Sequence, residues 1–343
     1  MKVLTLDTEL DIPDANFKEY LLENCDMNED GRLTLSDAEA WNSSAPNKEF
    51  IIMSKNISSL KGIEYFTALT KLWCFNNQLT TLDLSKNTAL TLLYCNGNKL
   101  TSLDVSNCTA LTKLWCYENQ LTTLDVSNCT ALTSLWCFNN QLTTLDVSNC
   151  TALTSLSCDG NKLTSLDVSK NTALIKLVCY ENQLTTLDLS KNTALTSLSC
   201  GSNQLTTLDV SKNTALTSLG CQSNQFTTLD VSKNTALIKL VCYENQLTTL
   251  DLSKNTALTL LYCNGNKLTS LDVSKNTALA ELFCNGNQLT TLDLRNNNRI
   301  NILSCNMPSL KTLYLKKGHE INGITYNRSS PYINDSTEIV FVD

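Results

Sequence analysis

The sequence has little of what catalytic and metal centres are made from. It contains one histidine, His319, among 343 residues, and no two of its sixteen cysteines form a CxxC pair. A zinc site needs about four cysteine, histidine or acidic ligands at characteristic spacings, and this chain does not supply them. No phosphate-binding loop is present, and no nucleophile stands at a recognisable spacing from His319. The composition therefore favours a protein that is not an enzyme.

Positive charge and long apolar runs are scarce as well. The formal net charge is -7 and the isoelectric point is about 4.9, without a basic cluster. Such a surface matches nucleic acid and anionic membranes poorly, so we expect neither as a partner. No apolar stretch approaches the length of a transmembrane helix, and the start, MKVLTLDTEL, lacks the apolar core of a signal peptide. Membrane insertion is therefore not expected, and composition fits either a cytosolic chain or one whose signal has been removed.

Cysteine, by contrast, recurs every 21 residues from Cys74 to Cys305. A fixed period of this length indicates one supersecondary unit stacked on copies of itself. One unit opens with the leucine-rich-repeat pattern, with cysteine in the third leucine position: Leu69, Leu72, Cys74, Asn77 and Leu79. The second half of the unit nearly repeats this spacing, so each unit contains two similar segments.

Both segments alternate apolar and polar residues, Leu72 with Cys74 in the first and Leu82 with Leu84 in the second. A period of two predicts a short strand with one buried face. The units are rich in Thr, Asn, Ser and Asp and have no run long enough for an amphipathic helix. We therefore predict a mainly β leucine-rich-repeat solenoid with two narrow parallel sheets. The asparagine at position 77, and its equivalents, should bond the backbone where each coil turns.

The repeat also sets the predicted domain boundaries. The pattern covers roughly residues 50–318, which leaves residues 1–49 as an N-terminal cap and 319–343 as a C-terminal cap. Solenoid ends need caps that cover strand edges and core. At the C-terminal end, alternating apolar residues predict a β-hairpin: Ile324, Tyr326, Ile339 and Phe341.

The N-terminal cap is predicted to be a small, EF-hand-like helix-loop-helix. Phe17, Tyr20 and Leu21 have helical spacing, and a D-x-N-x-D-G loop follows them. Oxygen atoms at such loop positions suit Ca²⁺. The predicted ligands are Asp26, Asn28, Asp30, the backbone carbonyl of Arg32, and Asp37. Position 12 of the loop holds Asp37, where glutamate is usual. The alternative is that the loop binds no metal and only caps the solenoid.

The ladder cysteines occupy a core position and are predicted to be buried, reduced thiols. Neighbours lie about one strand spacing apart, roughly 4.8 Å, with parallel Cα–Cβ bonds, which disfavours disulfides. A shorter ladder of Cys108, Cys129 and Cys150 takes the position that Asn87 holds in its unit, and we predict the same burial there. Since buried thiols are usually inert, a redox-sensing role is the less favoured alternative.

Aromatic residues mark the candidate binding surface. The positions on either side of each ladder cysteine should point outward, and eleven of them are aromatic. Leucine and cysteine already fill the core, and an exposed aromatic surface is typical of a binding site. The alternative is that stacked rings only stabilise the sheet. The predicted ligand-binding residues are Trp73, Phe75, Tyr94, Trp115, Tyr117, Trp136, Phe138 and Tyr180.

On the other predicted sheet, an aspartate recurs at outward positions, beginning with Asp83. Carboxylates stacked at strand spacing repel one another. We interpret this column as a solvated polar face, in which Ser85 and its equivalents bond and screen the charge, rather than as a cation-binding strip.

The consensus LTxLxCxxNQLTTLDVSKNTA resembles the cysteine-bearing repeats of the internalin J family and of leucine-rich-repeat surface proteins from gut Bacteroidetes and Firmicutes. The stretch from Ile57 to Leu69 resembles the lead-in repeat of these proteins, and the loop from Asp26 to Gly31 resembles their N-terminal cap. The resemblance implies a bacterial leucine-rich-repeat protein that is secreted or displayed on the cell surface and serves recognition or adhesion.

Three functions are compatible with these features. We favour a non-enzymatic recognition scaffold that binds a host or microbial protein through the aromatic residues. A carbohydrate-binding module that stacks sugar rings on the same residues is the second. A passive envelope spacer is the third.

Overall fold

The structure is a computed structural model that describes residues 5–319, 321 and 333–343. The chain forms two compact units, Met1–Asn171 and Thr172–Asp343. Both units consist of 21-residue coils, and each coil contributes one short strand to a parallel sheet. The predicted mainly β leucine-rich-repeat solenoid is thereby confirmed, whereas the predicted domain boundaries remain predictions.

Two helices open the first unit: α1 (Ala15–Cys25) and α2 (Leu35–Ser44). Asp14 caps α1, since its Oδ1 accepts a hydrogen bond from the backbone N–H of Phe17 at 3.0 Å. Trp41 of α2 packs against Phe50 and Phe66, with ring centroids 5.1 and 5.3 Å apart. These aromatic contacts bury the apolar side of the cap against the first coil, as expected for a solenoid end.

The sheet of the first unit follows chain order. Its strands are β1 (Glu49–Ile51), β2 (Lys71–Trp73), β3 (Leu92–Tyr94), β4 (Lys113–Trp115), β5 (Ser134–Trp136) and β6 (Ser155–Ser157). All neighbours pair in parallel, and from β2 onward each residue lies opposite the residue 21 positions later, as Leu72 does with Leu93. Because the register equals the repeat length, equivalent side chains form straight columns across the strands.

The second unit contains ten strands among its described residues. They are β7 (Lys176–Val178), β8 (Ser197–Ser199), β9 (Ser218–Gly220), β10 (Lys239–Val241), β11 (Leu260–Tyr262), β12 (Glu281–Phe283), β13 (Thr291–Asp293), β14 (Ile302–Ser304), β15 (Thr312–Lys316) and β16 (Glu338–Val342). Strands β7 to β12 and β14 pair in parallel in that order, and β13, β15 and β16 form a separate parallel sheet.

The second predicted sheet is thus small. In the first unit, Leu82 and Leu84 are buried as predicted, but pairing on this side is limited, in the described residues, to a bridge between Asp104 and Asp125. Asp83 Oδ1 accepts the backbone N–H of Ser85 at 2.9 Å within its own coil, and Asp104, which takes part in the bridge, accepts that of Ser106 in the same way.

The predicted C-terminal hairpin is described only in part. Ile339 and Phe341 lie in β16, which pairs with β15 in parallel. The other predicted arm contains Ile324 and Tyr326, which lie outside the described residues. The strand that covers the last coil is therefore a parallel one.

All sixteen cysteines are free and buried, as predicted for the fifteen that belong to the two ladders. The ladder sulfurs sit beside core leucines, and burial raises the pKa of Cys95 to about 12. The second ladder behaves alike: Cys129 Sγ lies 3.7 Å from the Val105 carbonyl oxygen and 3.8 Å from that of Cys108. These thiols serve as small apolar residues with a weak donor.

The asparagine row that begins at Asn77 closes each turn of the backbone. Asn140, for example, donates from Nδ2 to the carbonyl oxygens of Cys116 and Cys137 at 3.1 Å, and its Oδ1 accepts the N–H of Leu121 at 3.0 Å. The predicted role of this row is confirmed. One side chain therefore joins two adjacent coils and satisfies backbone groups that the core would otherwise strand.

Candidate recognition surface on the repeat sheet

Seven of the eight predicted binding residues are brought together on the outer side of strands β2 to β5. We call them the aromatic face, which consists of a first column, Trp73, Tyr94, Trp115 and Trp136, and a second column, Phe75, Tyr117 and Phe138. The buried leucine at the centre of each strand points inward, so the residues around it are displayed outward. The eighth residue, Tyr180, belongs to the second unit.

Three of the four rings in the first column form a continuous stack. Tyr94 and Trp115 have centroids 3.9 Å apart with an interplanar angle of 8°, and Trp115 and Trp136 are 4.3 Å apart at 3°. Trp73 lies 6.4 Å from Tyr94 and is tilted by 57°. Both faces of Trp115 are therefore covered by neighbouring rings, and the half-buried side chain presents its edge to solvent.

Hydrogen bonds fix the tryptophans in this orientation. The indole Nε1 of Trp115 donates to Ser134 Oγ at 3.4 Å, and that of Trp136 donates to Ser155 Oγ at 3.3 Å. Each serine belongs to the next strand along the chain. The arrangement is pre-organised, so a partner would not have to order these large side chains on binding.

The second column runs beside the first. Tyr117 stacks on Phe138 at 4.2 Å and 9°, and it approaches Trp136 at 6.4 Å, which joins the two columns. Burial, followed by the nearby charge of Glu118, raises the pKa of the Tyr117 phenol. The phenol is therefore neutral at physiological pH and acts as a hydrogen-bond donor or acceptor.

Sequence reasoning missed two features outside these columns. On the coil that follows Phe138, Ser157 Oγ donates to Asp159 Oδ1 at 2.6 Å, and Asp159 is only 4% exposed. The signal was a carboxylate in a position that other coils fill with aromatic, amide or glycine residues. In the second unit, Ile175 and Ile238 replace the usual threonine and are 47% and 41% exposed.

The predicted calcium loop is held by its own hydrogen bonds. Asp26 Oδ2 accepts the N–H of Gly31 at 2.8 Å, and Asp30 Oδ1 accepts that of Arg32 at 2.8 Å. Gly31 has the positive φ, 79°, that the sharp turn needs. Asn28 donates from Nδ2 to Asp30 Oδ2 at 3.0 Å. The loop thus has the expected turn, with its oxygen atoms directed at loop donors.

Asp37, the last predicted ligand, has a different role in the fold. It lies in the first turn of α2, where its Oδ2 accepts the N–H and Oγ1 of Thr34 at 2.9 and 2.6 Å. Its Oδ1 accepts the N–H of Met27 at 3.2 Å. Across the described residues, no three acidic, histidine or cysteine side chains are grouped as a metal site. Ca²⁺ binding by this loop stays a prediction.

The aspartate column lies on the other side of the coils, away from the aromatic face. Its members are exposed, and hydrogen bonds from the backbone and hydroxyl of Ser85 hold the pKa of Asp83 below its ordinary value. Ser106 does the same for Asp104. This local bonding agrees with the predicted screening by serine.

Comparisons with known proteins agree with this geometry. A family model described as leucine-rich repeats in two copies matches residues 88–129 and 130–171. The functional domain of InlJ from Listeria monocytogenes, which includes a cysteine ladder, is 36% identical with a TM-score of 0.79, over 91% of this chain and 77% of that chain. The internalin InlF from the same species is 25% identical with a TM-score of 0.76, over 96% and 95% of the two chains.

Other comparisons bear on the fold or give no match. A leucine-rich-repeat protein from Leptospira interrogans is 20% identical with a TM-score of 0.68, over 89% of this chain and 98% of that chain, and it shows the fold alone. No curated protein matches the chain. Among the described helices, none is long and apolar enough to cross a membrane. By its identity to InlJ over nine-tenths of its length, the chain belongs to the cysteine-ladder leucine-rich-repeat family of internalin J.

Proposed function

We propose that this protein is a non-enzymatic recognition scaffold, secreted or displayed on a bacterial surface, that binds a protein partner through the aromatic face. The observation that carries the proposal is the half-buried stack of Tyr94, Trp115 and Trp136 with spacings of 3.9 and 4.3 Å. Large aromatic side chains that are rigid before binding are the usual anchors of protein interfaces. Membership of the internalin J family supports both the scaffold role and the location.

The ring stack favours a protein partner over a glycan. A sugar ring binds an aromatic residue by lying flat on its face. The neighbouring rings already cover both faces of Trp115, so its exposed edge suits the mixed apolar and polar contacts of a protein surface. Charged residues flank the columns, among them Lys71, Lys113 and Glu118. An aromatic centre with a polar rim is the anatomy of a protein interface.

A passive spacer is the weaker alternative because the coils differ most where they face outward. The first column holds Trp115 and Trp136 in the first unit, whereas the equivalent positions of β8 and β9 hold Ser199 and Gly220. All four coils have a buried leucine and cysteine. A spacer would not require tryptophan at any outward position.

The test uses the full chain and a double variant, Trp115→Ala with Trp136→Ala. The matched control is Tyr262→Ala with Phe283→Ala, which removes two outward rings from the second unit, 4.5 Å apart. Proteins captured from host and microbial extracts would be identified, and their affinity measured for each variant. We expect the tryptophan variant to bind about 30-fold or more weakly and the control to bind within a few-fold of the original.

Two results would contradict the proposal. One is an equal loss of affinity in both variants, which would indicate a general effect on the scaffold. The other is unchanged protein binding in a folded tryptophan variant, which would place the partner elsewhere. A glycan array run in parallel would support the carbohydrate alternative if the tryptophan variant lost a specific glycan signal.

A further inference from the structure

The two aromatic columns stop at the coil of β6. Trp136 stacks on Trp115 through one face, and the next residue in its column is Ser157. Phe138 stacks on Tyr117, and the next residue in its column is Asp159, since the N–H of Asn139 bonds the carbonyl of Asp159 at 2.9 Å. Serine and aspartate are too small to continue a ring stack. One face of each terminal ring is therefore left for another group.

A buried carboxylate, Asp159, follows these rings on the next coil. Asp159 is 4% exposed and accepts one side-chain hydrogen bond, from Ser157 Oγ at 2.6 Å. None of the ion pairs formed by the described residues includes Asp159. A carboxylate removed from water without a cation is unfavourable, and the usual remedy is a counter-charge.

The position of Asp159 is unusual within the repeat. The same position in the other coils holds aromatic residues, asparagine, glutamine or glycine, and Asp159 is its one acidic residue. The core of the coil does not need this charge, because Leu156 and Cys158 fill it as in every other coil. A carboxylate that serves an incoming group would explain why it stands at the end of the columns.

We infer that Trp136, Phe138, Ser157 and Asp159 form a receptor for an arginine side chain of the protein partner. This inference rests on the proposed function and assigns one anchor of the same interface. A guanidinium group is flat and stacks on aromatic rings, while its N–H groups bond a carboxylate in a fixed fork. Phe138 and Asp159 are neighbours in the second column, so an aromatic ring and a carboxylate stand on adjacent coils. The net charge of -7 further favours a cationic partner.

Lysine fits these groups less well, because its ammonium is a compact point charge without a flat surface. A neutral sugar ring matches the free face of Trp136 but leaves the charge of Asp159 uncompensated. These two occupants are the alternatives that the experiment separates.

The experiment measures binding of N-acetyl-arginine amide to the full chain by NMR, through the indole N–H resonance of Trp136. N-acetyl-lysine amide and a methyl glucoside are the comparison probes. We expect a saturable shift with the arginine probe at millimolar concentration and at least about tenfold weaker binding of the other two. Because the comparison of probes uses the unmodified chain, it does not depend on how well any variant folds.

Asp159→Asn removes the carboxylate and keeps the shape of the side chain. We expect it to weaken binding of the arginine probe about tenfold, since a charge-assisted hydrogen bond is lost. The control is Asp146→Asn, which removes the same charge from an exposed aspartate bonded to Ser148 on the other side of the coil. It should change the affinity less than twofold.

Equal binding of the arginine and lysine probes would overturn the inference, as would unchanged arginine binding in a folded Asp159→Asn variant. Stronger binding of the glucoside would overturn it in favour of a sugar. The proposed function is judged separately. If Trp115→Ala with Trp136→Ala abolishes partner capture and Asp159→Asn does not weaken it, the aromatic face is the interface and the arginine anchor is wrong.

Discussion

The coils of β4 and β5 share the buried leucines and ladder cysteines of the coils of β8 and β9, and they differ from them on the outer surface. Leu114 and Cys116 are buried in one pair, and Leu198 and Cys200 are buried in the other. On the outside, Trp115 of the first pair corresponds to Ser199 of the second. The inward residues carry the fold, and the outward residues are left free to vary. Recognition is therefore best sought where the coils differ.

One interior position also differs between these regions. The first unit has Cys129 where the second has Asn213, four coils later. Asn213 donates from Nδ2 to the carbonyls of Leu189 and Asn192 at 3.1 and 2.9 Å, but its Oδ1 accepts no hydrogen bond from the described residues. Cysteine has no such oxygen. This row therefore tolerates the exchange of asparagine for cysteine. The Asn77 row should not tolerate it, because its side chains form hydrogen bonds through both Nδ2 and Oδ1.

The largest expected effect is alkaline unfolding of both regions. Burial raises the pKa of Cys95 in the first unit and of Cys200 in the second from 9.0 to about 12. Above pH 9 the folded chain keeps thiol protons that the unfolded chain releases. The contribution of these buried thiols to the free energy of unfolding is therefore complete below pH 9 and is lost as the pH rises from 9 towards 12. Circular dichroism as a function of pH, with thiols kept reduced, should show cooperative unfolding in this range.

The comparison is sharpened by the cysteines that only the first unit has in the Asn87 position. Burial raises the pKa of Cys108 and of Cys150 to about 11. Replacing Cys108, Cys129 and Cys150 together by asparagine should shift the alkaline midpoint to higher pH. An unchanged free energy of unfolding between pH 8 and 11 would mean that these thiols ionise without unfolding the chain.

The next effect concerns the Asn77 row, which should matter equally in both regions. Asn140→Ala strands the carbonyls of Cys116 and Cys137 and the N–H of Leu121. Asn224→Ala does the same in the second unit to Cys200, Cys221 and Leu205. Each should lower the free energy of unfolding by about 3 kcal/mol, because buried polar groups lose their partners. Urea denaturation that found a loss in one region and none in the other would break the comparison.

A smaller effect is expected on the outer surface. Trp115→Ala removes two ring stacks, with Tyr94 and Trp136, and should cost about 2 kcal/mol of stability. Ser199→Ala, at the equivalent position of β8, should change stability by less than about 0.5 kcal/mol. Thermal denaturation of the two variants tests this difference. Equal losses of stability in the two variants would show that the ring stacks do not stabilise the folded chain.

The interior was predictable because each buried position recurs in every coil and is determined by the few residues around it in the sequence. The 21-residue period and the alternation of Leu72 with Cys74 specify the buried side chains and the register, whatever lies outside. The aromatic columns were predictable as positions. That neighbouring rings come within stacking distance was predictable too, but the angle between each pair was not, because it depends on side-chain rotation, which the order of residues does not state.

The caps show a different limit, since one residue can satisfy two patterns. Asp37 fits position 12 of a calcium loop and also the capping box that Thr34 begins, and the structure uses it in the cap. Asp159 shows a third limit, because the same position is aromatic in Phe138 and Tyr117.

The smallest effect should come from exchanging the two kinds of residue in the Asn87 row. Asn213→Cys loses two bonds from Nδ2, but it also removes an Oδ1 that has no partner among the described residues. The new thiol would face the carbonyls of Leu189 and Asn192, as Cys129 faces those of Val105 and Cys108 at 3.7 and 3.8 Å. We expect the free energy of unfolding to change by less than about 1 kcal/mol, because the loss of the two Nδ2 hydrogen bonds is offset by the removal of the unpartnered Oδ1. Asn224→Cys, in the other row, should cost about as much as Asn224→Ala, since its Oδ1 bonds the N–H of Leu205 at 3.0 Å. If urea denaturation gives equal losses for Asn213→Cys and Asn224→Cys, the two rows are equivalent, and the cysteines of the first unit then need an explanation other than tolerance.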